Sequence, residues 1–196
     1  MRAENRKRFL LGRRALQIIA ALAGSAFLAI GALGYFGIWT RGMDFFTDNR
    51  HYVFYEEIDT AAYSVELDLT NPERNAGKVL YEKDGCRIVV EEVCARSPGG
   101  GYEVTFVSSG AWNRRRGVLV SIFSQRMELP LSPWPASANC RYDSRVYECE
   151  QYRSGGPGAD DRFTYAFFPD NQDQIPGRDA AVFTLQNLRR NVWARK

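Results

Sequence analysis

Histidine occurs once in the 196 residues, as His51, and that scarcity excludes a histidine-rich zinc or copper site. None of the four cysteines stands in a C-x-x-C pair, so zinc ribbons, thioredoxin-like redox centres and c-type haem attachment are excluded as well. There is no N-x-[ST] glycosylation sequon and no D-x-[DN]-x-[DN]-G calcium loop. Gly99-Gly100-Gly101 follows Pro98 and precedes a strand pattern, which makes it turn material and not a phosphate cradle. Lysine is scarce: Lys7, Lys78, Lys83 and Lys196 are the only lysines among 26 basic residues. No internal repeat is visible. No cofactor, metal or small-molecule ligand can be inferred from what remains.

What is present is unevenly distributed. Arg2, Arg6, Lys7, Arg8, Arg13 and Arg14 crowd the first 14 residues against Glu4, leaving 20 basic and 22 acidic residues in the rest of the chain. The basic pI therefore belongs to the tail, and a nucleic-acid-binding domain is not supported. From Ala15 to Trp39 no residue is charged. As helix this run would reach roughly 37 Å, against a hydrocarbon core of about 30 Å. Tyr35, Phe36, Trp39, Phe45 and Phe46 would suit an aromatic belt at its far end, and the positive-inside rule would place the N-terminus in the cytoplasm. The run is too long, and ends in residues too bulky, for a cleaved signal peptide. The expectation is a single-pass inner-membrane protein: a basic tail (1–14), a transmembrane helix serving as signal-anchor (15–39), a juxtamembrane linker (40–49) and an extracytoplasmic, periplasmic domain (50–196). Ala20, Gly24 and Gly31 would give that helix a small-residue face for packing against another.

Strand signals fill the outer domain. Every second residue of Tyr63–Thr70 is apolar, and Asn71-Pro72 closes the segment as a turn. Lys78–Lys83 and Cys86–Val93 read as a hairpin across Asp84-Gly85. Cys86, Val89, Val90, Val93 and Cys94 also fit helical spacing, but the β-branched Ile88-Val89-Val90 favours a strand. Tyr102–Val107, Arg145–Tyr152 and Phe163–Phe168 are further strands, and Val118–Phe123, apolar on both faces, reads as central. After Asp179 the period changes: Val182, Leu185, Leu188 and Val192 predict a C-terminal helix with cations in its last turns. The expected fold is therefore α+β, a mainly antiparallel sheet with one terminal helix beyond a membrane helix.

Cys86, Cys94, Cys140 and Cys149 are disulfide candidates, since an even count outside the cytoplasm favours bridges. Cys86 and Cys94 cannot join if they share one strand, where they would stand about 27 Å apart. Trp112-Asn113-Arg114-Arg115-Arg116-Gly117, between two strands, reads as a hairpin tip. Trp112, Arg114, Arg115 and Arg116 could there meet anionic lipid or an acidic partner. His51 reads as an ordinary polar residue at a strand start. Glu56, Glu57 and Asp59 form one carboxylate cluster, and Asp160, Asp161, Asp170 and Asp173 a second that could line a calcium site. With no reaction-specifying constellation, the sequence points to a membrane-anchored, non-enzymatic binding or assembly subunit of a membrane or periplasmic protein complex. The alternative is an anchored hydrolase or calcium-dependent enzyme using His51 or the Asp160–Asp173 region.

Overall fold

Alternating apolar residues and tight turns resolve into thirteen strands, three α-helical segments and one short 3-10 helix (Pro72–Asn75) in a computed structural model, which describes residues 17–31, 35–96, 100–125, 136–154, 160–169 and 180–196. The α-helical segments come first: α1 over 17–31, α2 (Tyr35–Arg41) and α3 (Met43–Thr47). One four-stranded sheet has the order β1 (Tyr52–Asp59), β13 (Leu188–Arg195), β7 (Arg116–Ser121), β6 (Ala111–Trp112). A second runs β2 (Tyr63–Asp68), β12 (Ala180–Gln186), β8 (Ser137–Tyr142), β9 (Arg145–Glu148). The third, five-stranded, runs β10 (Glu150–Ser154), β11 (Asp160–Phe167), β5 (Tyr102–Ser109), β4 (Cys86–Ala95), β3 (Val79–Lys83). Every pairing is antiparallel.

Three single residues carry the chain from sheet to sheet. Gly110 joins β5 to β6, Cys149 joins β9 to β10, and Asn187 joins β12 to β13. A Cβ on Gly110 would lie 2.6 Å from the Val118 carbonyl oxygen and 2.7 Å from Trp112 Cε2, so only glycine fits that corner. Asn187 takes φ 61°, a left-handed conformation that asparagine tolerates. Because of these links the three sheets enclose one core. Leu67, Ile88, Val90, Val104, Phe106, Phe163, Tyr165, Phe183, Leu185 and Val192 all belong to it. A smaller second core lies on the other face of the first sheet, where Ile38, Met43 and Phe46 of α2 and α3 cover Leu119 and Trp193. Strand β7 is thus buried on both faces and lies between β13 and β6, as its unbroken apolar run predicts. The β3–β4 hairpin turns at Asp84 and Gly85 with φ of 54° and 78°, and β4 is a strand throughout.

Three expectations are corrected. There is no C-terminal helix and the fold is not α+β: 180–195 is the β12–β13 pair of strands. The helical reading arose because two strands of period two meet out of phase. Ala181, Phe183 and Leu185 alternate inward, the kink at Asn187 advances the phase, and Leu188 becomes the next core residue three positions on. The cap position, Asp179, lies outside the described residues.

The membrane-spanning helix is also overturned. Among the described residues no helix is long and apolar enough to cross a membrane. The end of the apolar run is instead used by the domain: Ile38 of α2 is buried in the second core, and the chain turns at Gly42, φ 50°. Phe45 and Phe46, expected at a membrane interface, pack on Tyr52, with Phe46 stacked 5.4 Å from Trp112. The transmembrane, signal-anchor and inner-membrane assignment therefore has no support among the described residues. The basic tail lies outside the described residues.

The disulfides are absent. Cys86, Cys94, Cys140 and Cys149 are all free thiols. Cys86 and Cys94 sit at opposite ends of β4. The β8–β9 hairpin turns at Asp143 and Ser144, and its register sets Cys140 against Tyr147, so Cys149 lies beyond the pair. Burial holds the Cys140 thiol up at about 12 and also pushes the Cys149 thiol up.

Candidate protein-docking edge

Sheets present unpaired backbone at their edges, and most edges of this fold are blunted. Strand β6 has two residues and β9 four. The β3–β4 and β10–β11 pairings are both interrupted by register shifts. Along β2, Lys78 Nζ donates to the Glu66 carbonyl at 2.8 Å. Asn75, fully buried, accepts from the Asp68 N–H at 2.8 Å and donates to the Asp68 and Pro72 carbonyls. These side chains occupy the strand edge as a neighbouring strand would.

Strand β1 is different. It pairs with β13 over eight residues without a shift, from Tyr52 opposite Arg195 to Asp59 opposite Leu188, and nothing among the described residues pairs with its other side. The Lys196 N–H donates to the His51 carbonyl at 2.9 Å. Antiparallel pairs alternate, so Val53, Tyr55 and Glu57 turn their backbone groups toward β13, and Phe54, Glu56 and Ile58 turn theirs outward. Val53 (46% exposed), Tyr55 (40%) and Ile58 (56%) add apolar side chains to this edge. Charges that would repel an incoming strand are held on the fold. Glu56 is ion-paired with the buried Arg189, and Glu57 with Arg190, which also reaches Asp84 at 3.3 Å.

The hairpin tip marks one end of the edge. Trp112, partly buried, stacks on Phe46 and so anchors the tip. Asn113 Oδ1 accepts from the Arg115 and Arg116 N–H groups and shapes the turn. The tip is fastened to the edge by Tyr52 Oη donating to the Arg114 carbonyl and by the Arg195 N–H donating to the Arg115 carbonyl. Arg116 reaches Tyr55 Oη at 3.4 Å. Arg114, Arg115, Arg195, Lys196, Arg50 and His51 are thereby gathered as exposed residues around the start of β1. A shallow cleft there is lined by Ile38, Phe45, Asn49, His51, Tyr52, Arg114 and Arg195. Among the described residues its lining includes no carboxylate. The opposite end, where β1 closes, is acidic, with Glu57, Asp59 and Asp84 lining a second cleft beside Lys83 and Arg190.

The remaining expected residues do not converge here. Ala20, Gly24 and Gly31 are exposed on α1, and a Cβ on Gly24 or Gly31 would meet nothing within 4 Å. Asp59 accepts from Tyr63 Oη at 2.7 Å; burial first, then this carboxylate, holds the tyrosine up at about 12. Of the second carboxylate cluster, Asp170 and Asp173 and the side chain of Asp160 lie outside the described residues. Asp161 is buried and takes the Ser121 hydroxyl, which itself accepts from the Phe123 N–H. No group of three or more His, Cys, Asp or Glu is placed to hold a metal among the described residues. The open β1 edge was not legible in the sequence, because edge or centre is decided by which strands lie on either side. Comparison with family models, curated proteins and solved structures finds no match.

Proposed function

We propose that this protein is a non-enzymatic binding module, an assembly component that docks an extended segment of a partner chain along β1. The observation that carries this is the regular edge, uncapped among the described residues, with outward backbone groups at Phe54, Glu56 and Ile58, on a fold whose other described edges are short, interrupted or occupied. Strand addition uses such an edge: main-chain hydrogen bonds supply affinity, and alternate side chains supply specificity. The exposed Val53, Tyr55 and Ile58 supply apolar contact, while the basic start and acidic end of the strand select the direction of the incoming chain.

Ile58→Pro is the discriminating substitution. Position 58 is exposed and its N–H points away from β13, so proline removes a docking donor and leaves the β1–β13 ladder intact. Tagged wild type, Ile58→Pro and Ile58→Thr would be used as bait under identical conditions, with captured proteins quantified by mass spectrometry. The expected result is a set captured by wild type and Ile58→Thr and depleted at least tenfold with Ile58→Pro. Equal capture by all three would overturn the proposal.

A further inference from the structure

We infer that the strand seated on β1 is β1 of a second copy, giving a two-fold dimer with one sheet continuous across both chains. This names the occupant of the edge proposed above and rests on that reading. An antiparallel strand fitting this edge must bring acid to the end where Arg50, Arg115 and Arg195 gather. It must bring apolar bulk to the middle and uncharged or basic groups to the end where Glu57, Asp59 and Asp84 lie. β1 with the residue before it reads His51-Tyr52-Val53-Phe54-Tyr55-Glu56-Glu57-Ile58-Asp59, aromatic first and acidic last. Reversed against its own copy, it meets each requirement. The parallel alternative would set the two basic ends side by side.

Backbone phase then limits the register. Outward-facing residues must meet outward-facing residues, and opposed side chains must lie on one face of the sheet. Centring on Tyr55 satisfies both. Phe54 then pairs with Glu56 of the copy, Tyr52 with Ile58, and His51 with Asp59. Tyr55 faces its own equivalent as a non-hydrogen-bonded pair. Centring on Glu56 would instead oppose two carboxylates directly, which is disfavoured. Two-fold dimers of this kind are isologous: the same patch is used on both chains, so the assembly closes at two.

The register gives a chemical test. Non-hydrogen-bonded antiparallel partners stand with Cα atoms about 4.5 Å apart, within the span of a disulfide. Purified Tyr55→Cys, treated with copper phenanthroline, should cross-link most chains into a covalent dimer. Ser64→Cys, exposed on β2, and wild type should cross-link at least tenfold less. Sedimentation should show wild-type dimers, with the dissociation constant raised tenfold or more by Arg50→Glu combined with Arg195→Glu and by Ile58→Pro. Wild type that sediments as a monomer throughout, with Tyr55→Cys uncross-linked, overturns the second copy as occupant. If Ile58→Pro still loses captured proteins, docking stands with a different partner. If capture is also unchanged, both readings fail together.

Discussion

Asp161 is a carboxyl shut inside a β fold, 5% exposed, with the Ser121 hydroxyl as its hydrogen-bond partner. Burial raises its pKa and the serine opposes that rise. A carboxyl whose folded pKa is raised favours folding in its protonated form. Its contribution is complete below the ordinary carboxyl pKa of about 3.9 and is lost as pH rises through the folded value. Asp161→Asn should therefore be at least as stable as wild type at pH 7.5, and the advantage should shrink toward pH 4. Urea midpoints at the two pH values check this, and an advantage that grows on acidification would contradict it. In the sequence Asp161 belongs to a cluster of acids that reads as loop charges able to line a calcium site. What assigns it to Ser121 is the approach of β7 to the end of β11, 40 residues apart in the chain.

Among the elements, the β12–β13 strand shows how one residue's backbone can disguise a whole segment. Asn187 in the left-handed region lets a bent strand serve two sheets, and every core contact of Leu185 and Leu188 depends on that bend. Asn187→Val should destabilise the protein by about 1–2 kcal/mol, because a β-branched residue is strained at positive φ. Asn187→Gly should lie within several tenths of a kcal/mol of wild type, since glycine accepts the conformation but frees the unfolded chain. Denaturant unfolding of both variants measures the difference. Equal losses would show that the asparagine side chain, and not its backbone, holds the bend. By contrast, the β3–β4 hairpin was readable directly, since Asp84-Gly85 is a local instruction that no distant contact needs to complete.

At the scale of the whole molecule, the four cysteines report on packing and not on cross-linking. Cys86 and Cys140 are completely buried, while Cys94 and Cys149 are partly exposed. Cys94 is held at about 11, first by its hydrogen bond to Glu92 and then by burial. Thiol titration without reductant should count four thiols in urea. In the native protein at pH 8, Cys86 and Cys140 should react at the rate of global unfolding. Fewer than four thiols in urea would restore a disulfide and refute the free-thiol assignment.

By itself the sequence determined what local chemistry can encode. It set strand alternation over Tyr63–Asp68, the Asp-Gly turn, the doubly apolar β7 that had to be central, and the strand character of Ile88-Val89-Val90. It also located the arginine-rich tip between two strands. Only the tertiary structure decided the rest, for one physical reason: hydrophobicity records that a residue avoids water, and not what shields it. An apolar run ending in aromatics was therefore ambiguous between lipid and a second protein core, until Ile38, Phe46 and Trp193 were seen to pack on one another. Spacings of three and four around Leu185 and Leu188 were ambiguous between a helix and a kinked strand. Whether β1 was covered or open depended on neighbours as far away as Arg195 from Tyr52, and the docking edge became visible only once those neighbours were in place.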